Sequence, residues 1–290
     1  MKVFVTGATG FIGRAVAEAL RRRGHRVAGL TRSAAKAPGL EAREIEAVVG
    51  NMRDYRTWRR AAKDADVLVH CAVEYGPQYQ ALDRATVDAF EDLGGKILYT
   101  SGVWQYGPCG KRPVRETAAF DGTPLLPWRS EHEQLVLKAK GIVIRPGCVY
   151  GGAGGLTGLW FKKTAPAIVG DGSNRWAMVH LDDLGHLYAL AAESSVKNEL
   201  FNATDGSHES VREMAAAASR AAGGRGAVKA LTLAQGEQLY GGLAHGLALD
   251  QLVDSGKAAK MLGWKPRFHG FSSGAERFYG AWKAALSPKS

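Results

Sequence analysis

Gly7, Gly10 and Gly13 in TGATGFIG stand three residues apart, directly behind the apolar run Val3, Phe4 and Val5. That spacing opens a helix on a tight turn, brings the backbone close to a pyrophosphate, and aims free N–H groups and the positive end of the helix dipole at it. A strand in front and a helix behind give the glycines their meaning as a dinucleotide-binding turn. The second apolar run ends in VAGLTRS, with Thr31 at the position where an acidic residue would hold a ribose 2′-hydroxyl, and Arg32 next. An arginine there accommodates a 2′-phosphate. The expected cofactor is therefore NADP(H), with NAD(H) the alternative if Arg32 is only a solvated loop residue.

The elements that must position these residues follow from periodicity. Ile12, Val16, Ala19 and Leu20 recur at helical spacing behind the glycines, and Gly24 stops that helix. The alternation continues with EAVVG, a helix near Tyr55 to Lys63, DVLVHCA, a helix near Gln78 to Leu93, KILYTS, a helix near Trp128 to Lys140, and GIVIRPG. Short, wholly apolar strands between helices indicate a parallel sheet covered on both faces. The expected fold class is α/β, a doubly wound parallel sheet (Rossmann) with a smaller C-terminal lobe. Residues 1–150 form the dinucleotide-binding region, and residues 151–290 form mainly a substrate-binding lobe interleaved with the end of the sheet. In the second half, MVHLDDLGHLYALAAES is expected as one helix, LFNATDG as a strand and SVREMAAAASRAAG as a helix.

Composition narrows the class. The 290 residues are 46% hydrophobic and 23% charged, which suits a globular chain with a sizeable core. No stretch reaches about 18 consecutive apolar residues, so no membrane span is expected. The three cysteines, Cys71, Cys109 and Cys148, are odd in number and lack C-x-x-C spacing, which argues against a disulfide framework or a metal site and fits a reducing cytoplasm. The net charge of +10 is spread over scattered arginines such as Arg21, Arg22, Arg23, Arg56, Arg59 and Arg60. Nucleic acid is therefore not the expected partner; a small molecule is, and the basic surface also favours anionic ligands.

Together TGATGFIG, VLVHCA, YTSGVWQYG, VIRPGCVYGG, VHLDDL, LFNATDG and LGWKP, in this order along nearly the whole chain, resemble the extended and atypical short-chain dehydrogenase/reductase superfamily, the group that contains the NAD-dependent epimerase/dehydratases. The resemblance implies that Thr9, Phe11 and Ile12 join the glycines around the pyrophosphate. It implies that Asn51 and Met52 flank the adenine, that Cys71, Ala72 and Val73 line the path to the nicotinamide, and that Pro146 stands near the nicotinamide end. A helix-mediated homodimer is implied in the same way.

The family's carbonyl chemistry uses a tyrosine and a lysine four residues later, because a hydride arriving at a ketone makes an alkoxide that needs a proton. By resemblance Leu125 takes the tyrosine position and Arg129 the lysine position, and no tyrosine lies between Tyr106 and Tyr150. Leucine donates no proton; arginine holds a ribose or an oxyanion but does not act as a practical acid. Ser101 is retained beside Gly102 and is expected either to bond the substrate oxygen or simply to close the strand end. Tyr106 and His132 are the remaining proton-donor candidates, their alternatives being a structural Tyr-Gly pair and a solvated helix histidine. Trp104 and Trp128 are expected to face the pocket, and Trp160 and Trp176 either to join them or to pack in the core, as Trp58 and Trp264 are expected to do. An aromatic wall suits a flat or apolar substrate. Arg175 lies one residue off from a family arginine that grips diphosphate, which weakens a sugar-nucleotide reading.

The resulting expectation is an NADP-dependent oxidoreductase, a reductase of a small hydrophobic or aromatic metabolite, with a non-standard active site. A redox-neutral isomerase, epimerase or cyclase and a non-catalytic nucleotide-sensing protein are the alternatives.

Overall fold

Residues 1–74, 76–118 and 127–286 are described by a computed structural model; Leu125 lies outside them. The first half runs β1 (Lys2–Thr6), α1 (Phe11–Arg22), β2 (Arg26–Thr31), α2 (Ala37–Glu41), β3 (Glu46–Val49), α3 (Arg59–Lys63), β4 (Val67–His70), α4 (Tyr79–Leu93), β5 (Lys96–Thr100), α5 (Pro127–Lys138) and β6 (Ile142–Pro146). The second half adds β7 (Cys148–Tyr150), α6 (Thr157–Trp160), β8 (Ala167–Val169), β9 (Met178–His180), α7 (Leu181–Glu193), β10 (Glu199–Ala203), α8 (Val211–Ala221) and β11 (Lys229–Leu231), with further short helices and a last helix at Ala275–Leu286.

Seven strands form one sheet in the order β10-β6-β5-β4-β1-β2-β3, and every pairing is parallel. Order reverses at β1, which pairs with both β2 and β4; in a doubly wound sheet this switch point is where a crevice opens beyond the carboxyl ends of the strands. One face is covered by α1 and α7, whose Val16, Leu20, Leu184 and Leu187 pack on Val3, Val5 and Val69. The other face is closed by α3, α4 and α5 around Phe4, Trp58, Phe90 and Val136. Trp58 stacks on Phe4 at 5.6 Å and meets Phe90 edge-on at 5.9 Å. Trp264 is likewise buried, its indole N–H donating to the Asp183 carbonyl at 2.8 Å.

One element departs from its pattern. Met178, Val179 and His180 are a strand, paired in parallel with Cys148, Val149 and Tyr150, and the helix begins only at Leu181. The cause is local: the His180 ring accepts the Asp182 N–H at 3.2 Å and caps the helix, a role more often filled by Ser, Thr or Asp. The smaller lobe has its own core, in which Trp160, Trp176, Phe271 and Phe278 surround Met214 and Val211. That lobe is interleaved with the sheet, because β10 extends it beside β6 and α7 packs on its face.

The seat of α5 is electrostatic as well as apolar. Glu133 on α5 and Arg145 on β6 form a buried ion pair, with Arg145 Nε donating to Glu133 Oε1 at 2.9 Å and a second contact from Arg145 Nη2 to Glu133 Oε2. Removing one partner strands the other charge in the interior. Glu133→Ala is expected to destabilise the fold by about 3–5 kcal/mol, while the double variant Glu133→Ala with Arg145→Met recovers part of that loss; urea unfolding of the two variants and the wild type measures both.

Candidate active site

Between β1 and α1 the glycines are sterically required. Gly7 has φ +73°, and a Cβ there would sit 2.8 Å from the Ala72 backbone. A Cβ on Gly13 would lie 2.2 Å from the Gly7 carbonyl oxygen, which also accepts the Gly10 N–H at 2.8 Å. The N-terminus of α1 has no side-chain cap, so its first N–H groups remain for an anion. The Phe11 ring covers Gly154 and Gly155, where a Cβ would come within 2.6 and 3.1 Å of it, so the glycine-rich loop after β7 closes over the start of α1.

A cavity of about 300 Å³ opens beside this turn, at the carboxyl ends of β4, β5 and β6. Ile12 of α1, Cys71, Ala72 and Val73 after β4, Ser101 and Trp104 after β5, Arg129 of α5 and Pro146 at the end of β6 line it. All eight are among the candidate site residues named from the sequence. The structure adds Thr100, Gln105, Cys148, Val149 and Leu156. Their spacing carried no motif; only the convergence of three strand ends and the loop after β7 puts them on one wall.

Two polar groups mark the floor. Ser101 Oγ is buried with no hydrogen-bond partner among the described residues, and the same holds for Arg129 Nε. Arg129 Nη1 donates to the Thr100 carbonyl at 3.0 Å, and its guanidinium lies 5.0 Å from the Trp128 ring. Thr100 Oγ1 donates to Cys71 Sγ at 3.2 Å and shares a 2.6 Å hydrogen bond with the fully buried Tyr188 hydroxyl. Burial pushes the thiols of Cys71 and Cys148 up to about 12, so neither is an acid or a nucleophile near neutrality.

Five aromatic or titratable candidates lie elsewhere. Tyr106 is buried beneath Arg145, whose guanidinium stands 4.7 Å from its ring, and its hydroxyl donates to Asn202 Oδ1 at 2.8 Å. His132 faces away from the cavity, its Nδ1 2.7 Å from Asp83 Oδ2. Trp128 packs between Tyr79 and His132 at 5.5 and 4.9 Å and does not line the cavity. Trp160 and Trp176 stack on each other at 5.2 Å in the core of the smaller lobe, where the Trp176 indole donates to the Leu247 carbonyl. Of the two tryptophans expected at the pocket only Trp104 lines it, because helical pitch turns residues 128 and 132 of α5 toward α4 while residue 129 faces the cavity, and Trp160 and Trp176 take the core alternative. Arg175 is held by Asp250 through a forked pair at 2.8 and 2.6 Å and does not reach the cavity.

At the end of β2, Thr31 is buried with its hydroxyl turned to Ser33, and Arg32 is exposed. The Asn51 side chain accepts the Arg53 N–H at 3.0 Å, and Met52 packs against the cluster around Trp58.

Behind the cavity, Asp83 is shared by His70, Tyr99 and His132. Tyr99 donates to Asp83 Oδ2 at 2.8 Å, His70 Nε2 lies 3.4 Å from Oδ1, and His70 Nδ1 is 2.8 Å from Thr6 Oγ1 at the end of β1. Burial works to raise the Asp83 carboxyl, but the charge of His70, the hydrogen bonds from both histidines and the charge of Arg129 outweigh it and hold the group well below the usual carboxylate range. Among the described residues no group of three or more His, Cys, Asp and Glu side chains is arranged to hold a metal ion, and no helix is long and apolar enough to cross a membrane.

A glycine turn at the switch point of a parallel sheet, with a cavity beyond the strand ends, is the arrangement of a doubly wound dinucleotide-binding fold. Residues 3–127 match the family described as the NAD dependent epimerase/dehydratase family. A Saccharomyces cerevisiae protein, the uncharacterized protein YLL056C, is 28% identical over 286 residues, covering 92% of this chain and 95% of the yeast one. The sterol-4-alpha-carboxylate 3-dehydrogenase (decarboxylating) of Dictyostelium discoideum is 26% identical over 240 residues, covering 70% and 71%. Among solved structures, the dTDP-glucose 4,6-dehydratase of Bacillus anthracis in complex with NAD superposes with a TM-score of 0.81 at 18% identity, covering 98% of this chain and 97% of that one.

Two measurements check this arrangement. Native protein at pH 7.5 is expected to resist iodoacetamide at Cys71 and Cys148 and to be alkylated at both once unfolded, read by peptide mass spectrometry. The second concerns Asp83. A carboxyl depressed in the folded state contributes stability that is complete above its unfolded pKa of about 3.9 and is lost as pH falls through the folded value. The stability gap between wild type and Asp83→Asn is therefore expected to be widest near neutrality and to narrow below about pH 4 in urea titrations.

Proposed function

We propose that this protein is an NADP-dependent reductase of a small hydrophobic or aromatic metabolite, working without the family's usual Tyr/Lys pair. The observation that carries the reading is the pairing of a largely apolar cavity with two buried, unpartnered donors, Ser101 Oγ and Arg129 Nε, among side chains that hold no acid titrating near neutrality. The glycine turn, the uncapped N-terminus of α1 and the path lined by Cys71, Ala72 and Val73 fit a dinucleotide. When bound, the nicotinamide supplies a hydride. Charge then develops on the acceptor end of the substrate, and Ser101 Oγ–H and the fixed positive charge of Arg129 stabilise it in a site that needs no reorganisation. Trp104 and Leu156 exclude water from the apolar side of the substrate. For a conjugated carbonyl the proton that completes the reduction comes from solvent at the cavity mouth; a cyclic iminium becomes a neutral amine on taking the hydride and needs no proton, so both are substrates that need little acid assistance.

The exposed Arg32 beyond β2, with Thr31 in place of a carboxylate, supports NADP(H) over NAD(H). The engagement of Arg175 by Asp250 removes the support for a sugar-nucleotide substrate. A dehydrogenase among the relatives is in keeping with oxidoreductase chemistry.

Screening NADPH consumption against enals, cyclic iminiums and ketones tests the reaction. Arg129→Ala is expected to lower kcat/KM about 10²- to 10³-fold with folding unchanged by circular dichroism, the range seen when one preorganised oxyanion donor is removed. Unchanged turnover would remove Arg129 from the chemistry, and product formation without net NADPH consumption would replace the reductase by a redox-neutral enzyme. For the cofactor, calorimetric titration is expected to give tighter binding of NADP+ than NAD+ in the wild type and loss of that preference in Arg32→Ala.

A further inference from the structure

Three charged side chains meet where β2, β3 and β4 end. Arg32 follows β2 directly, Arg53 comes four residues after β3, and Glu74 four residues after β4. Glu74 Oε1 accepts from Arg53 Nε at 3.0 Å and from Arg53 Nη2 at 2.7 Å, while Arg32 Nη1 stands 3.3 Å from Glu74 Oε2. Arg53 Nη1 donates to Gln78 Oε1 at 3.0 Å. The carboxylate is the enclosed member, its side chain 15% exposed against 65% for Arg32 and 46% for Arg53.

This arrangement is poorly matched within itself. Both donors of the Arg53 fork converge on one carboxylate oxygen, and the other oxygen is buried with no hydrogen bond among the described residues. Two guanidiniums and one carboxylate leave a formal charge of +1 at the end of the strands. A phosphate monoester carries close to two negative charges and three acceptor oxygens, enough to take both guanidinium forks at once. Asp54, the acidic side chain next to Arg53 in the chain, is engaged with Arg56 instead.

We propose that Arg53 is the second guanidinium of the 2′-phosphate site beside Arg32, and that Glu74 is the carboxylate the phosphate displaces from both. The proposal rests on the NADP reading above and adds to it the residues that set the degree of discrimination. With NAD+ bound, Glu74 keeps the two arginines; with NADP+ bound, the phosphate takes them, and the exchange reduces the gain that the two cations would otherwise give.

The test is calorimetric titration of the full chain with NADP+ and NAD+ for the wild type, Arg32→Ala, Arg53→Ala, Arg53→Lys and Glu74→Gln. Arg53→Ala is expected to weaken NADP+ at least about tenfold, the effect of losing a charge-assisted hydrogen-bond pair, with NAD+ changed less than about twofold. Arg53→Lys is expected to recover part of the NADP+ affinity, since it restores charge without the fork. Glu74→Gln is expected to tighten NADP+ about threefold or more and to leave NAD+ alone, because a competing charge is gone. An Arg53→Ala variant that keeps full NADP+ affinity, or that weakens both nucleotides equally, overturns the proposal, as does a Glu74→Gln variant that binds NADP+ more weakly. If the wild type shows no NADP+ preference and Arg32→Ala changes neither nucleotide, the cofactor reading itself fails and takes this proposal with it. A preference abolished by Arg32→Ala but untouched by Arg53→Ala leaves the cofactor reading standing and removes only Arg53.

Discussion

The approach of the Gly7 turn to the backbone at Ala72 is the constraint on which the rest of the site depends. A single methyl group at Gly7 would come within 2.8 Å of that backbone, and one at Gly13 would overlap the Gly7 carbonyl. Because neither carries a side chain, β1, α1 and the segment after β4 close on one another, and the first turn of α1 is brought to the mouth of the cavity. The same segment carries Cys71, Ala72 and Val73 onto the cavity wall and Glu74 onto the two arginines at the other end. One steric requirement thus sets the spacing between the cavity and the charged cluster.

Arg129 depends on a second set of restraints. Its helix is held by the buried Glu133–Arg145 pair on one side and by the His132 contact with Asp83 on the other. Asp83 in turn reaches Thr6, at the foot of the glycine turn, through His70. Residues that looked like proton donors are spent on this scaffold: His132 anchors α5 to Asp83, and Tyr106 is committed to Asn202 under the Arg145 guanidinium. Buried polar groups fully engaged in such a network rigidify their surroundings. Their use as struts leaves the cavity with hydroxyls, thiols too weakly acidic to ionise at neutral pH, and one permanent cation.

That inventory favours chemistry in which positioning and fixed charge lower the barrier and proton transfer is left to water. The smaller lobe contributes through Leu156 and the glycine-rich loop over Phe11, while its own tryptophans fill its core. On the proposed reading, substrate selectivity falls to the apolar side chains of the cavity wall, among them Trp104, Val149 and Leu156.

Sequence alone was enough for the parallel sheet and the glycine turn, because strands buried on both faces are written as unbroken apolar runs and a turn with no room for Cβ is written as glycine. It also carried Arg32 at the end of β2. Tertiary structure decided which way each remaining candidate faces. Trp128 and Arg129 are neighbours in the chain, yet one packs on Tyr79 and the other lines the cavity, since consecutive helical residues point about 100° apart. Met178 to His180 read as helix by composition but pair with β7, whose position no local pattern encodes. The meeting of Arg32, Arg53 and Glu74 was beyond any motif for the same reason: the three follow separate strand ends, and only the closed sheet brings both guanidiniums to one carboxylate.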